Sequence, residues 1–117
     1  MSGCGCNETF VIREGDTLPV LRDQLTDNGE PFDITGKTLQ LVATHTLYGS
    51  VLTKTPVVPT ATAAIPDPAS LGYLDTAFGA TDLQAGDYIY HYVVTDGLDV
   101  LSFPNDGSFR MTVTPAR

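Results

Sequence analysis

The chain has 117 residues, of which 42% are hydrophobic, and a formal net charge of −8. This length predicts one domain with a single core, and no apolar run approaches the roughly 20 residues that a membrane-spanning helix needs. The negative charge argues against binding to nucleic acid, which requires a basic surface. The N-terminus resembles no secretory signal, so we expect the protein to stay in the cytoplasm of the producing cell or to be assembled there into something larger.

A glycine-rich leader, residues 1–8, precedes the predicted domain at 9–117, and we expect this leader to be flexible. It contains both cysteines of the chain, Cys4 and Cys6. Two thiols cannot complete a four-ligand zinc site, and a ring closed between them would be very short and strained. The alternatives are free thiols, such a ring, or a disulfide to a neighbouring subunit, which would persist outside the cell. A non-reducing gel of the intact assembly tests for the intersubunit disulfide.

The first two predicted strands lie at 9–13 and 17–25. Pro19 places the start of the second strand at an edge or a bulge, because proline has no backbone hydrogen to donate to a ladder. Leu21 and Leu25 point inward, since side chains alternate between the two faces of a strand.

Asn28-Gly29 predicts a tight hairpin, because both residues tolerate positive φ angles. The alternation of Leu41 and Ala43 with polar neighbours then predicts a half-buried strand over 37–46. Further strands are predicted at 51–58, with Pro56 and Pro59 marking an exposed edge, at 60–65 and at 73–78.

The most informative segment is the tyrosine-rich strand at 88–95, which lies between a glycine and an Asp-Gly turn. Period-two alternation places two sets of residues on opposite faces: Tyr88, Tyr90, Tyr92 and Val94 on one, and Ile89, His91, Val93 and Thr95 on the other. The Leu-x-x-Gly-x-Tyr pattern that ends at Tyr88 resembles a tyrosine corner, in which the tyrosine bonds back to the preceding loop. Strands at 98–103 and 108–114 complete the pattern.

Seven to nine strands with turn signals every ~8 to 12 residues predict an all-β fold, specifically an antiparallel immunoglobulin-like β-sandwich. No long segment has helical periodicity, which argues against a parallel α/β fold.

Several of these segments occur in the order found in one family. They are an opening strand and turn at 10–19, a hairpin followed by Ile34-Thr35-Gly36 at 25–36, a loop and strand at 65–74, Ala85-Gly86-Asp87-Tyr88, and Phe103-Pro104-Asn105-Asp106-Gly107. Together they resemble the amino-terminal immunoglobulin-like domain of tailed-phage upper baseplate (fibre-carrying) proteins. In that family coiled-coil and fibre segments follow the domain, and the present sequence has no counterpart of them.

The resemblance implies a structural protein of a bacteriophage virion, assembled in the host cytoplasm. Its role would be capsid decoration or a neck, tail or baseplate component. Its partners would be other virion proteins, contacted through one sheet or an edge strand, and we expect a homo-oligomer or symmetric array within the particle. The acidic loops would face solvent or a basic groove.

The residues suggest no catalytic chemistry, no cofactor and no metal site. His45 and His91 are the only histidines, and neither has a metal-ligating or nucleophilic partner at a meaningful spacing. We expect each to be a strand histidine bonded to a neighbour or to water. We therefore predict a protein that is not an enzyme and that binds neither nucleic acid nor a membrane.

Tyr48, Tyr90 and His91 are the candidate residues for an interaction surface. The alternative function is a carbohydrate-binding or adhesin-like module for attachment to a host surface, because exposed aromatic rings can stack on sugars. The competing explanation for the tyrosines is that they belong to the core and the corner, since large aromatic residues are buried on average.

Overall fold

The computed structural model describes residues 9–103 and 109–116. These residues contain strands and turns but no helix, which confirms the predicted all-β class. The strands are β1 Phe10–Arg13, β2 Leu21–Gln24, β3 Thr26–Asp27, β4 Glu30–Pro31, β5 Thr38–His45, β6 Val51–Lys54, β7 Tyr73–Thr76, β8 Gly86–Asp96, β9 Asp99–Phe103 and β10 Phe109–Thr114. The leader with Cys4 and Cys6 and the predicted turn at 104–107 lie outside the described residues.

No helix in the described part of the chain is long and apolar enough to cross a membrane.

Six strands form the larger sheet, in the order β1-β10-β8-β5-β6, with β9 also paired to β8. Strand β8 is 11 residues long, so two strands share one of its edges. Its first half pairs with β10 and its second half pairs with β9, whereas β5 runs along the opposite edge.

One pair in the larger sheet is parallel, namely β1 with β10. The expectation of an antiparallel arrangement is therefore wrong for this pair. Parallel neighbours need a long connection between them, and here most of the domain lies between the two strands.

The other sheets have two strands each. Strand β2 pairs with β7 in antiparallel fashion, and Val57 bridges to Asp75 of β7. Strands β3 and β4 form the predicted hairpin. Asn28 and Gly29 at its tip have φ angles of 55° and 81°, as expected for a two-residue turn in which both central residues need positive φ.

A single hydrophobic core joins the larger sheet to the β2–β7 pair. The predicted face of β8 is confirmed, because Tyr88, Tyr90, Tyr92 and Val94 are all buried. Each fully buried side chain of this size contributes about 1.5–3 kcal/mol through removal of apolar surface from water. The remaining core residues are Ile12, Leu21, Leu25, Ile34, Leu41, Ala43, Leu74, Phe78, Leu83, Phe103, Met111 and Val113.

Three strand predictions differ from the structure. Residues 60–65 form no strand, because Thr62 closes a local turn in which its hydroxyl accepts a hydrogen bond from the Ile65 amide at 3.0 Å. The second strand begins only at Leu21. The strand predicted over 51–58 is an edge strand as expected, but it ends at Lys54, and Pro56 is buried and marks no exposed edge.

Candidate interaction surface

The outer face of the larger sheet is the side turned away from the core, and its composition differs from that of the chain as a whole. Because directly paired residues point to the same side of a sheet, the registers define this face. Its residues are Val11, Arg13, Thr38, Gln40, Val42, Thr44, Val51, Thr53, Asp87, Ile89, His91, Val93, Thr95, Val100, Ser102, Arg110, Thr112 and Thr114. Most of them are threonine or valine, which suit a pleated surface.

Acidic residues are nearly absent from the outer face, although the chain has 14 of them. Among the members of this face Asp87 is the one acid, and Arg13 and Arg110 are basic. The carboxylate of Asp87 also accepts a hydrogen bond from the Thr112 hydroxyl at 3.0 Å. The other described acids lie in loops, at strand ends or on the β2–β7 pair, so most of the protein's negative charge lies off this face.

Several aliphatic side chains on the outer face are exposed to solvent. Val51 exposes 64% of its surface, Val100 63% and Val11 52%. Exposed apolar residues that occur singly are ordinary on a protein surface. Here they share a face with a single acid, and protein interfaces are depleted of acidic residues and enriched in arginine.

The three predicted interaction residues do not form one surface. His91 lies on the outer face, half-buried beside Val42 of β5. Tyr48 lies in the turn after β5, where 62% of its surface is exposed and its ring stacks on His45 with the ring centres 4.7 Å apart. Tyr90 points to the opposite face of β8 from His91 and is only 3% exposed. The prediction is therefore wrong for Tyr90, because the core requires this ring.

A tyrosine corner holds the start of β8, as the sequence predicts. The Gln84 amide donates a hydrogen bond to the Tyr88 hydroxyl oxygen at 3.0 Å. The loop before β8 is thereby bonded to the strand that it leads into.

His45 connects the end of β5 to the same corner. Its Nδ1 accepts hydrogen bonds from the Leu47 and Tyr48 amides at 3.1 and 3.2 Å, so Nε2 carries the proton and donates to the Ala85 carbonyl at 2.9 Å. These hydrogen bonds satisfy the expectation of a strand histidine bonded to its neighbours. Gly86 is needed opposite it, because an added Cβ would lie 2.8 Å from His45 Cε1.

The carboxylate of Asp23 lies between the two sheets, and the sequence pattern predicted no functional group there. Asp23 of β2 accepts hydrogen bonds from the hydroxyls of Tyr90, at 3.2 Å, and Tyr92, and both bonds reach the same oxygen, Oδ2. The sequence contained a signal for this, because Asp23 lies midway between Leu21 and Leu25 and period-two alternation places all three inward.

Burial raises the pKa of the Asp23 carboxyl above its ordinary value of 3.8, and the two tyrosine hydrogen bonds act against this rise. Burial raises the pKa of both tyrosines as well, followed by the effect of the nearby Asp23 charge. The tyrosines therefore act as hydrogen-bond donors at any physiological pH. Nearby, the Thr76 hydroxyl is buried without a hydrogen-bond partner in the described structure.

The described residues contain no group of three or more His, Cys, Asp or Glu side chains that could hold a metal ion. Comparisons of the chain with protein-family models, with curated proteins and with solved structures find no match.

Proposed function

We propose that this chain is a non-enzymatic structural protein of a tailed-bacteriophage particle and that it works through protein–protein contacts on its outer face. Its partners in this proposal are other virion proteins, with copies arranged symmetrically in the particle after assembly in the host cytoplasm. The phage assignment depends on the ordered segments that resemble the upper baseplate family. The contact assignment depends on the geometry of the sheet.

The proposal includes an immunoglobulin-like sandwich as the finer description of the fold. Two features support it: the tyrosine corner at Tyr88 and the two sheets with a common core. Both were expected of such a domain from the sequence.

The observation that carries the functional proposal is that the outer face has a single acid, Asp87, in a protein with a net charge of −8. Burying a charged group in an interface costs free energy unless it is paired, whereas burying valine and threonine methyl groups is favourable. A partner that covers this face therefore buries many valine and threonine side chains and few acidic ones.

The burial of Tyr90 weakens the alternative that the protein binds sugars. That alternative required tyrosine rings exposed on a sheet, but Tyr90 is in the core and its hydroxyl donates to Asp23. Tyr48 keeps an exposed ring, although that ring already stacks on His45.

Two matched valines test the proposal. Val51 lies on the outer face and Val57 lies beside β7, and they are 64% and 62% exposed. We expect Val51→Glu to prevent incorporation into virus particles, because it places an unpaired charge within the contact, and Val57→Glu to leave incorporation unchanged. Quantitative mass spectrometry of purified particles measures both effects. Absence of the unmodified protein from intact particles overturns the structural assignment, and equal incorporation of both variants overturns the choice of face.

A further inference from the structure

A depression beside β1 and β2 contains a carboxylate that is only partly used. The depression has a volume of about 400 Å³ and is lined by Thr9, Phe10, Leu21, Arg22, Asp23 and Tyr90. Both tyrosine hydroxyls donate to Oδ2 of Asp23, and no group within residues 9–103 and 109–116 donates to its other oxygen, Oδ1. A carboxylate has about four acceptor positions, so Asp23 can accept further hydrogen bonds.

A second depression lies near the start of β6 and has a volume of about 420 Å³. Two of its lining residues are acidic. Asp82 accepts a hydrogen bond from the Lys54 ammonium at 2.8 Å, so its charge is neutralised within the protein, whereas Glu14 accepts one from the Ala85 amide at 3.3 Å. Asp23, which is half-buried between the sheets, has no cation partner among the described residues.

Arg22 is the one basic residue that lines the Asp23 depression, and its side chain is engaged elsewhere. The Arg22 guanidinium donates to both carboxylate oxygens of Asp75, at 2.7 and 3.0 Å. Its charge is matched there, and alternation along β2 directs its side chain away from that of Asp23. A half-buried carboxylate without a cation is stabilised when a cation arrives from outside.

We propose that this depression binds a primary alkylammonium group, which donates to Oδ1 of Asp23 while its alkyl chain lies against Phe10 and Leu21. A single free oxygen favours an ammonium over a guanidinium, because guanidinium groups pair best with both oxygens of a carboxylate. Phe10 and Tyr90 are among the residues that line the depression, and aromatic residues attract cations. The site does not depend on a role in a virion and goes beyond the proposed function.

The alkylammonium group has two possible sources, a lysine side chain of a partner protein or a free amine. The intact, isotope-labelled protein is titrated with n-butylammonium and with Nα-acetyl-lysine methylamide, and the carboxyl carbon of Asp23 is observed by NMR. We expect saturable binding with a dissociation constant in the millimolar range, typical of a small ligand that makes few contacts. We also expect the Asp23 pKa to fall on binding, since the cation favours the charged form. Binding of both probes indicates a lysine side chain, and binding of butylammonium alone indicates a free amine.

Matched variants locate the site. In Asp23→Asn the side-chain oxygen still accepts both tyrosine hydroxyls, so the fold is retained, and we expect binding to weaken about tenfold or more. Asp82→Asn removes the same charge from the second depression and leaves binding unchanged. 1-Butanol, the neutral analogue, does not compete. The proposal is overturned if no ammonium probe moves the Asp23 resonance, or if Asp23→Asn and Asp82→Asn affect binding equally.

Discussion

Replacing Gly86 by alanine tests the contact between the end of β5 and the start of β8. Gly86 has a φ angle of +130°, in a region that is essentially restricted to glycine. The added Cβ would lie 2.8 Å from His45 Cε1, whereas carbon atoms in contact are normally about 3.5–4.0 Å apart. Alanine at this position therefore strains the backbone and displaces the histidine ring.

The two effects give an expected loss of stability. The unfavourable backbone conformation costs about 1–3 kcal/mol. Displacement of His45 breaks its hydrogen bond to the Ala85 carbonyl, and leaving a buried polar group unsatisfied costs about 1–3 kcal/mol. We expect a total loss of about 2–6 kcal/mol, which is a large fraction of the roughly 5–15 kcal/mol typical of a folded domain.

Urea unfolding of the unmodified protein and of two variants measures this loss. Gly36→Ala is the control, because Gly36 also has a positive φ, +73°, but an added Cβ there has no atom within 4 Å. We expect Gly36→Ala to lose only about 1–2 kcal/mol, the cost of a left-handed backbone. If the two variants lose the same stability, or if the ring nitrogens of His45 keep their NMR shifts in Gly86→Ala, the reasoning about this contact is refuted.

Two further predictions concern the carboxylates. In urea unfolding, Tyr92→Phe should lose about 1.5–3 kcal/mol of stability because its hydrogen bond to the charged Asp23 disappears. Tyr48 is exposed, and Tyr48→Phe should change stability by no more than about 0.5 kcal/mol. Equal losses in the two variants would contradict the role assigned to Asp23. The second prediction is a pH dependence. Burial raises the pKa of Asp23 in the folded state, so the folded protein binds this proton more tightly than the unfolded chain, and stability falls as the pH rises from 3.8 through the folded pKa. Asp23→Asn should therefore gain stability relative to the unmodified protein over that window. A hydrogen bond from a lysine ammonium lowers the pKa of Asp82 below 3.8, so its stabilisation is present above 3.8 and is lost as the pH falls through the folded pKa. Asp82→Asn should accordingly be costly at neutral pH and nearly neutral in acid, and parallel pH curves for the two variants would show that the pKa directions are wrong.

Local pattern was sufficient to predict much of the fold. The alternation in β8 correctly separated the buried tyrosines from Ile89 and His91, because a strand has only two faces. Asn28-Gly29 correctly predicted a hairpin, since the positive φ angles are a local requirement. The tyrosine corner could also be predicted, because its hydrogen bond joins Tyr88 to Gln84, only four residues away.

Features that depend on distant contacts could not be predicted. The pairing of β1 with β10 brings together residues from opposite ends of the domain, and no local signal specifies its parallel direction. The threonines of residues 60–65 and the prolines beside them favoured a strand, but the Thr62 hydroxyl bonds within the segment and closes a turn instead. Tyr90 had two explanations, core or binding surface, and only the position of β2 across from it decides between them.

For the candidate surface, the sequence predicted that His91 takes part but not which residues lie beside it. Those neighbours depend on the registers of β5, β8 and β10, which place the outward residues of the three strands side by side. Asp23 carried a usable signal, an acid at an inward position, yet its bonds to two tyrosines depend on how the sheets are stacked.

The parallel pairing of β1 and β10 has a mechanical consequence. Because the two strands run in the same direction, the chain enters β1 at one end of the pair and leaves β10 at the opposite end. A force that pulls these two points apart acts along the strands, so their hydrogen bonds are sheared together rather than broken one after another. The domain should accordingly resist stretching between its ends far better than peeling of the β8–β9 hairpin.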